Sequence, residues 1–161
     1  IRGKRNKVIG ITFLITKRLT MFRNPDDNQL KELLSNAKRI AVVGASPNTE
    51  RASNGIAKYL IKQGYEMIPV NPVYDEVLGE KTYPDLKSIP GEIDIVDVFR
   101  KPEAVMPVVD EAIDVGAKAI WFQQGVINPQ AAEKAQNRGL TTVMDLCIYM
   151  EHLRLLRSER E

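Results

Sequence analysis

The sequence predicts an α/β protein with a Rossmann-like, doubly wound and mostly parallel sheet of five or six strands and helices on both faces. The first observation is that short runs of apolar and β-branched residues alternate along the chain with segments of helical periodicity. The second is that a run such as Arg39–Val43 is apolar throughout after its first residue, instead of alternating with polar residues. Such strands are buried on both faces of a parallel sheet, which crossover helices cover.

The individual elements follow from local patterns. The predicted strands are short apolar runs bounded by turn residues. They cover residues 39–43, 66–70, 93–99, 118–122 and 141–144, with a short strand near 81–83. The predicted helices have apolar residues at helical spacing, or begin at a capping residue and end at glycine. They cover residues 27–36, 54–63, 103–115 and 128–139, and a last helix runs to about residue 157.

A chain of 161 residues fits one domain with a normal core, and we expect residues 21–161 to form that single domain. Residues 1–20 hold six basic residues and no acidic one. The apolar run at 8–15 is too short to span a bilayer, which takes about 20 residues, and no small-residue cleavage site follows it. We interpret residues 1–20 as an upstream extension outside the fold, with a membrane-surface anchor as the alternative.

The composition argues against several kinds of function. Beyond residue 20 the chain carries 17 basic and 21 acidic residues, and this net charge of −4 gives no electrostatic reason to expect nucleic-acid binding. A single cysteine, Cys147, and a single histidine, His152, allow neither an intramolecular disulfide nor a cysteine-rich or histidine-based metal site. The low cysteine count fits a reducing compartment. We expect a cytoplasmic protein with no metal, no nucleic-acid partner and no membrane association.

The junction after the first predicted strand has the composition of a phosphate-binding loop. In a doubly wound sheet, ligands bind beyond the carboxyl ends of the strands, where the strand order reverses. Gly44 permits a tight turn, and the loop amides and the hydroxyls of Ser46 and Ser53 can donate to phosphate oxygens at a helix start. Ser46 replaces the second glycine of G-x-G-x-x-G, and the loop lacks the G-x-x-x-x-G-K-[ST] pattern. We predict phosphate binding here, with an ordinary tight turn as the alternative; Arg51 is either a phosphate contact or a solvated charge.

Short motifs follow the ends of the predicted strands in order across residues 38–155. They are Val43-Gly44-Ala45-Ser46 with Arg51-Ala52-Ser53, Gly64-Tyr65, Val70-Asn71-Pro72, Val98-Phe99-Arg100-Lys101-Pro102, Trp121-Phe122-Gln123-Gln124-Gly125-Val126, Met144-Asp145-Leu146-Cys147 and Glu151-His152. In order and spacing, these stretches resemble the small stand-alone coenzyme-A-binding proteins related to the N-terminal domain of the succinyl-CoA synthetase alpha subunit. The resemblance implies the same fold and a bound coenzyme A or acyl-CoA.

The resemblance also implies where the ligand lies. The pyrophosphate would rest on the loop after the first strand, the adenosine beside the end of the second strand, and the pantetheine arm near the end of the strand at 118–122. The residues implied at the ligand are Gly44, Ala45, Ser46, Pro47, Arg51, Ser53, Val70, Asn71, Pro72, Phe99, Arg100, Lys101, Pro102, Gln123, Gln124, Gly125 and Cys147. Arg100 is a candidate phosphate or carboxylate contact because its guanidinium offers paired donors; the alternative is a surface charge. Trp121, within a strand, is expected in the core.

The residues do not predict catalytic machinery. A Ser-His-Asp triad cannot be built around His152 in a charged terminal helix. Asp94 and Asp97 do not form an acid–base pair, because residues three apart in a strand face opposite sides. We therefore expect a module that binds coenzyme A or an acyl-CoA and has no turnover of its own. A homodimer and an unidentified protein partner both stay open.

Two alternatives remain. One is an NAD(P)-binding oxidoreductase-like domain, although the missing second glycine argues against it, as does Asn71 at the place where a ribose-binding acid is expected. The other is a thiol-redox protein in which Cys147, at the positive end of the last helix, forms a mixed disulfide with coenzyme A. For Cys147 the simpler interpretation is a small buried hydrophobic residue.

Overall fold

Parallel strands form the centre of the fold in a computed structural model that describes residues 21–157. The five strands of this sheet are β1 (Arg39–Val43), β2 (Glu66–Val70), β5 (Ile95–Val98), β6 (Ala119–Phe122) and β7 (Thr141–Val143). Their order across the sheet is β2-β1-β5-β6-β7, and every neighbouring pair is parallel. The predicted Rossmann-like fold class is confirmed, with five strands in the sheet. The extension predicted at residues 1–20 lies outside the described residues.

Within residues 21–157, five α-helices cover the two faces of the sheet. They are α1 (Asp27–Asn36), α2 (Ala52–Lys62), α3 (Met106–Asp114), α4 (Pro129–Asn137) and α5 (Ile148–Leu156). Apolar residues of α1, α2 and α5 share one buried cluster, and those of α3 and α4 share the other. No helix within residues 21–157 is long and apolar enough to cross a membrane.

Alternation along the strands divides the core between these two clusters. In β1, Ala41 and Val43 join the cluster of α3 and α4, whereas Ile40 and Val42 join the cluster of α1, α2 and α5. All four residues are buried, which is the pattern that the apolar run predicted for a central parallel strand. Trp121 of β6 is fully buried, as expected, and its indole N–H donates to the carbonyl of Leu146 at 2.7 Å.

The segment between β2 and β5 differs from the prediction. Residues 76–77 (β3, Glu76–Val77) and 80–81 (β4, Glu80–Lys81) form a small antiparallel hairpin, of which only the second strand overlaps the strand expected near 81–83. Tyr83 follows as a single parallel bridge to Val70 at the end of β2. The hairpin is therefore a separate two-stranded sheet and adds no sixth strand to the main sheet.

The helix expected at 103–115 is divided into two pieces. A 3₁₀ turn covers Pro102–Ala104, and α3 begins only at Met106. Pro107 lies within the first turn of α3, where its missing N–H costs no intrahelical hydrogen bond. Proline at that position therefore favours a helix that starts just before it, which explains the later boundary.

The strand order reverses between β1 and β5. From β1 the chain passes to β2 on one side, then returns to β5 on the other side of β1. All five strands end at the same edge, which we call the carboxyl edge, and the opposite one the amino edge. The reversal lies where Gly44 and Phe99 follow β1 and β5, which is the place where open α/β sheets bind ligands.

The amino edge is held by charged groups. Asp94 accepts hydrogen bonds from the backbone amides of Lys38 and Arg39, at 2.8 and 2.9 Å, and pairs with Lys118 at 3.1 Å. Although burial opposes it, these donors hold the pKa of Asp94 below its ordinary value. Arg39 also pairs with Glu66 at 3.0 Å. The charges of this edge are thus used to join β1, β2, β5 and β6.

Candidate functional site

Gly44 forms the centre of the carboxyl edge. Its φ is +90°, and a Cβ built on it would lie 2.3 Å from the carbonyl oxygen of Phe99. The backbone amide of Gly44 donates to the carbonyl of Val70 at 2.9 Å, and that of Phe99 donates to Val43 at 2.9 Å. Only glycine meets both the backbone conformation and the space. The ends of β2, β1 and β5 are thereby locked together at the point where the strand order reverses.

The polar loop after Gly44 is held by its own side chains. The Ser46 hydroxyl accepts from the Asn48 amide at 3.1 Å, and the Asn48 side chain accepts from the Glu50 amide at 2.9 Å. Asn54, which is buried in α2, donates to the carbonyl of Ser46 at 2.9 Å. Sequence reasoning missed Asn54. The feature of the sequence that could have identified Asn54 is its position in the helix after a glycine-led loop, where a buried side-chain amide can bond to the loop backbone.

The helix after this loop starts earlier than predicted, and no side chain caps its N-terminus. It begins at Ala52 instead of residue 54, so Ser53 lies in the first turn and is buried. Arg51 is the N-cap, with an extended backbone, and no side chain caps the helix. Uncapped amides and the positive end of the helix dipole make such a start suited to an anion. The side chain of Arg51 is exposed beside it.

Asn71 joins the end of β2 to the loop after β1. Its side-chain NH₂ donates to the carbonyl of Ala45 at 2.9 Å, and its side-chain oxygen accepts from the Val73 amide at 3.0 Å. Both ends of the amide are thus engaged in holding the two loops. Pro72 beside it is exposed, whereas Val70 is buried as the last residue of β2. The structure brings the predicted residues of the first two strand ends together.

The segment after β5 carries positive charge on the other side of Gly44. Phe99 and Arg100 are partly exposed, and Lys101 is exposed. Pro102 accepts from the side chain of Asn128 at 3.0 Å, which ties this segment to the start of α4. No carboxylate within residues 21–157 pairs with Arg51, Arg100 or Lys101. The cations of the carboxyl edge are therefore available to an anion, unlike Arg39 and Lys118 at the amino edge.

Below this edge lies a buried pair that sequence reasoning did not find. Gln123 is buried, its side-chain NH₂ donates to Asp97, and its side-chain oxygen accepts from the Ile148 amide at 3.4 Å. Asp97 is also buried, and its second carboxylate oxygen has no partner within the described part of the chain. Burial raises the pKa of Asp97 to about 7, against the opposing hydrogen bond from Gln123. Of the predicted stretch 123–125, Gln124 and Gly125 are the exposed residues.

Cys147 lies where the sequence placed it, at the N-cap of α5. It is partly exposed and forms no disulfide. The backbone amide of Gly125 donates to the side chain of Asp145 at 2.8 Å, so the loop after β6 contacts the segment that leads to Cys147. Asp145 has φ +60°, a conformation that asparagine and aspartate adopt more readily than most residues.

His152 takes a packing role in α5. It is buried, and its Nδ1 lies 2.7 Å from the hydroxyl of Tyr59 on α2. Its ring makes edge-on contacts with Tyr59 and Tyr65, with centroids 5.4 and 5.8 Å apart. The expectation that His152 forms no catalytic triad stays a prediction. Within residues 21–157, no three histidine, cysteine or acidic side chains cluster closely enough to hold a metal ion.

Two cavities lie elsewhere in the molecule. One, of about 710 Å³, is lined by residues of α1 and by the starts of β6 and β7. The other, of about 910 Å³, lies among the ends of α1, α2 and α5. None of the predicted ligand residues lines either cavity. We place the candidate site at the carboxyl edge because the strand reversal, the open helix start and the available cations coincide there.

A doubly wound sheet with a glycine-led loop and an uncapped helix start at its strand reversal is the architecture of a Rossmann-type domain. Sequence comparison is more specific, since residues 38–153 match the family model of the CoA binding domain. The chain belongs to the CoA-binding domain family. This membership supports coenzyme A binding and confirms the resemblance found in the motifs.

Individual relatives agree with the family. The chain is 45% identical over 130 residues to the uncharacterized protein YneT of Bacillus subtilis, covering 81% of this chain and 96% of that protein. It is 29% identical over 129 residues to acetate–CoA ligase [ADP-forming] I of Archaeoglobus fulgidus, covering 74% of this chain but only 19% of the ligase. A hypothetical protein from Pyrococcus horikoshii has a solved structure with a TM-score of 0.80 and 45% identity, covering 86% of this chain and 99% of that one.

Proposed function

We propose that this protein binds coenzyme A or an acyl-CoA along the carboxyl edge and acts as a binding module without turnover of its own. The main supporting observation is the position of Gly44, whose backbone lies so close to the Phe99 carbonyl at the strand reversal that a Cβ would not fit. The chain that carries this glycine belongs to the CoA-binding domain family. Near the strand reversal no side chain caps the start of α2, and Arg51, Arg100 and Lys101 pair with no carboxylate within residues 21–157. The proposed location is the cytoplasm, on the basis of the cysteine count alone.

The proposed order of the ligand follows the strand order. The pyrophosphate lies on residues 44–47 and the start of α2, with Ser53 and Arg51 near it. The adenosine lies toward the end of β2, beside Asn71 and Pro72. The pantetheine arm passes residues 99–102 and reaches Gln124 and Gly125. In this arrangement Asn71 and Gln123 contribute mainly by fixing the loops, since their side-chain amides are already engaged with backbone and carboxylate groups.

Replacing Arg100 by alanine is expected to weaken coenzyme A binding by about tenfold or more. A hydrogen bond to a charged group contributes about 1.5–3 kcal/mol, and Arg100 has no competing carboxylate in the described residues. Calorimetric titration of the variant and of the unaltered protein measures the change. The matched control is Arg138→Ala, which removes an exposed arginine at the end of α4 and leaves the affinity unchanged. Equal losses in both variants would mean that Arg100 acts only through the overall charge.

Parallel titrations with coenzyme A, acetyl-CoA and NAD test the proposal itself. Saturable binding of either CoA compound, with no NAD binding, is the expected result. Binding of NAD alone would replace the proposal with the oxidoreductase-like alternative. Against that alternative stands Asn71 at the end of β2, where NAD-binding domains place an acidic residue for the ribose.

The thiol-redox alternative has one observation in its favour, the partly exposed position of Cys147 at the start of α5. In that reaction the Cys147 thiolate attacks CoA disulfide, forms a Cys147–CoA disulfide and releases one CoA thiolate. Incubation with CoA disulfide followed by intact-protein mass measurement detects the adduct. With Cys147→Ser, we expect coenzyme A affinity to stay within about twofold of the unaltered protein, since serine has nearly the shape of cysteine and keeps a hydrogen-bond donor at that position. A loss of affinity as large as that of Arg100→Ala would show that the thiol is part of the binding site.

A further inference from the structure

Exposed apolar side chains are concentrated at the carboxyl edge. Within residues 21–157 the exposed large apolar residues are Met21, Ile61, Val73, Tyr74, Ile127 and Met150. Four of these six follow the ends of strands, in the loop after β2, in the loop after β6 and in the first turn of α5. Single exposed apolar residues are ordinary, so these four are informative only through their position relative to the proposed ligand.

The four residues form two groups that are separated along the edge. Val73 and Tyr74 follow β2, whereas Ile127 follows β6 and Met150 lies on α5. Three strand spacings separate β2 from β6, a distance of about 14 Å. The loop after β1, where we place the pyrophosphate, lies between the two groups. One group is therefore on the adenosine side of the ligand, and the other is on the pantetheine side.

The pantetheine-side group stands next to the expected position of the ligand's sulfur end. Ile127 lies two residues after Gly125, and Met150 lies three residues, about one helical turn, after Cys147. The hydrogen bond from the Gly125 amide to Asp145 joins the two segments that carry Ile127 and Met150. Ile127 is 50% exposed and Met150 is 56% exposed, so each has side-chain surface left to cover.

Resting on the proposed function, we propose that Ile127 and Met150 bind the acyl group of an acyl-CoA, and that the ligand class is thioesters with an apolar chain longer than acetyl. In the proposed arrangement the sulfur end of coenzyme A lies at residues 124–125, so the coenzyme itself does not extend to these two side chains. An apolar chain that extends from the thioester covers Ile127 and Met150 and is itself removed from water. Methionine suits this role, since its flexible side chain adapts to chains of different length.

Calorimetric titrations with coenzyme A, acetyl-CoA and hexanoyl-CoA test the inference. A fully buried methylene is equivalent to about a fourfold change in affinity, and a half-buried one to about twofold. Hexanoyl-CoA has four methylenes more than acetyl-CoA, so we expect it to bind about tenfold more tightly or better. In the double variant Ile127→Ser/Met150→Ser this gain falls to about threefold or less, while the affinity for coenzyme A itself is unchanged.

The matched control is Ile61→Ser, which changes an exposed apolar residue on α2 away from the edge and keeps the full gain. Equal affinities of the unaltered protein for coenzyme A and hexanoyl-CoA would overturn the inference and leave the proposed function standing. Retention of the gain in the double variant would also overturn it. Absence of binding for all three compounds would overturn the proposed function, and the inference with it.

Discussion

The Gly44→Ala variant is expected to lose at least about 2 kcal/mol of unfolding free energy and to bind no coenzyme A at micromolar concentrations. Two causes act together. The φ of +90° is a conformation that a residue with a Cβ rarely adopts, and the added Cβ would lie 2.3 Å from the Phe99 carbonyl oxygen. That oxygen belongs to the backbone at the end of a central strand, so it cannot move away as a flexible side chain would. Urea denaturation measures the stability, and calorimetric titration measures the binding.

Gly55→Ala is the matched control for this variant. Gly55 lies within α2, and a Cβ built there has no atom within 4 Å. Alanine favours the helix by about 0.5–1 kcal/mol over glycine, so the control should be slightly more stable than the unaltered protein. A Gly44→Ala protein that kept its stability and its coenzyme A affinity would contradict the geometry of the strand reversal.

For Asp97→Asn, the expected result is a change in how stability depends on pH. The pKa of Asp97 is raised to about 7 in the folded protein, because burial disfavours its charge. Between about pH 4 and pH 7 the unfolded chain has released this proton and the folded protein still binds it, so unfolding free energy falls as the pH rises. The unaltered protein is therefore expected to lose up to about 4 kcal/mol across this window relative to the Asn variant. Below pH 4 the two proteins should have parallel pH profiles.

Asp94→Asn supplies a control of the opposite sign. The pKa of Asp94 is lowered in the folded protein, so its contribution to stability is present above the ordinary pKa and is lost as the pH falls through the folded value. Asp94→Asn should thus be less stable than the unaltered protein at pH 7, and the difference should shrink in acid. Urea denaturation between pH 3 and pH 8 measures both variants. If the difference between the unaltered protein and Asp97→Asn stayed constant from pH 4 to pH 7, Asp97 would not be a buried, protonated acid.

Local sequence patterns predicted the bounds of those elements that end at a recognisable turn residue. Both β1 and β2 have the bounds that their apolar runs predicted, because each run ends at a turn residue. The strand expected at 93–99 is shorter, at Ile95–Val98, and the Asp94 carboxylate just before it accepts from the backbone amides of Lys38 and Arg39 at the start of β1. The start of α2 at Ala52 was missed because Arg51, its N-cap residue, is not one of the capping residue types that mark a helix start in a sequence.

For the candidate site too, the sequence predicted some features and missed others. Its position at the strand ends follows from the order of motifs, and the structure brings Gly44, Asn71 and Phe99 together as that order implied. The buried pair of Asp97 and Gln123 was out of reach, because the two residues are 26 positions apart and pair only through the register of β5 and β6. A glutamine after a strand predicts a polar contact, but only the assembled sheet shows that the contact is internal.

The side-chain bonds between the loops of the carboxyl edge have a consequence for the kinetics of recognition. Asn54, Asn71 and Asn128 each tie one loop to a backbone carbonyl of another segment through protein groups alone. Loops that are already fixed lose little conformational entropy when a ligand arrives, so more of the contact energy remains as affinity. Such a preorganised edge favours association without a slow rearrangement. The backbone amides of these loops should be protected from hydrogen exchange to the same degree with and without the ligand.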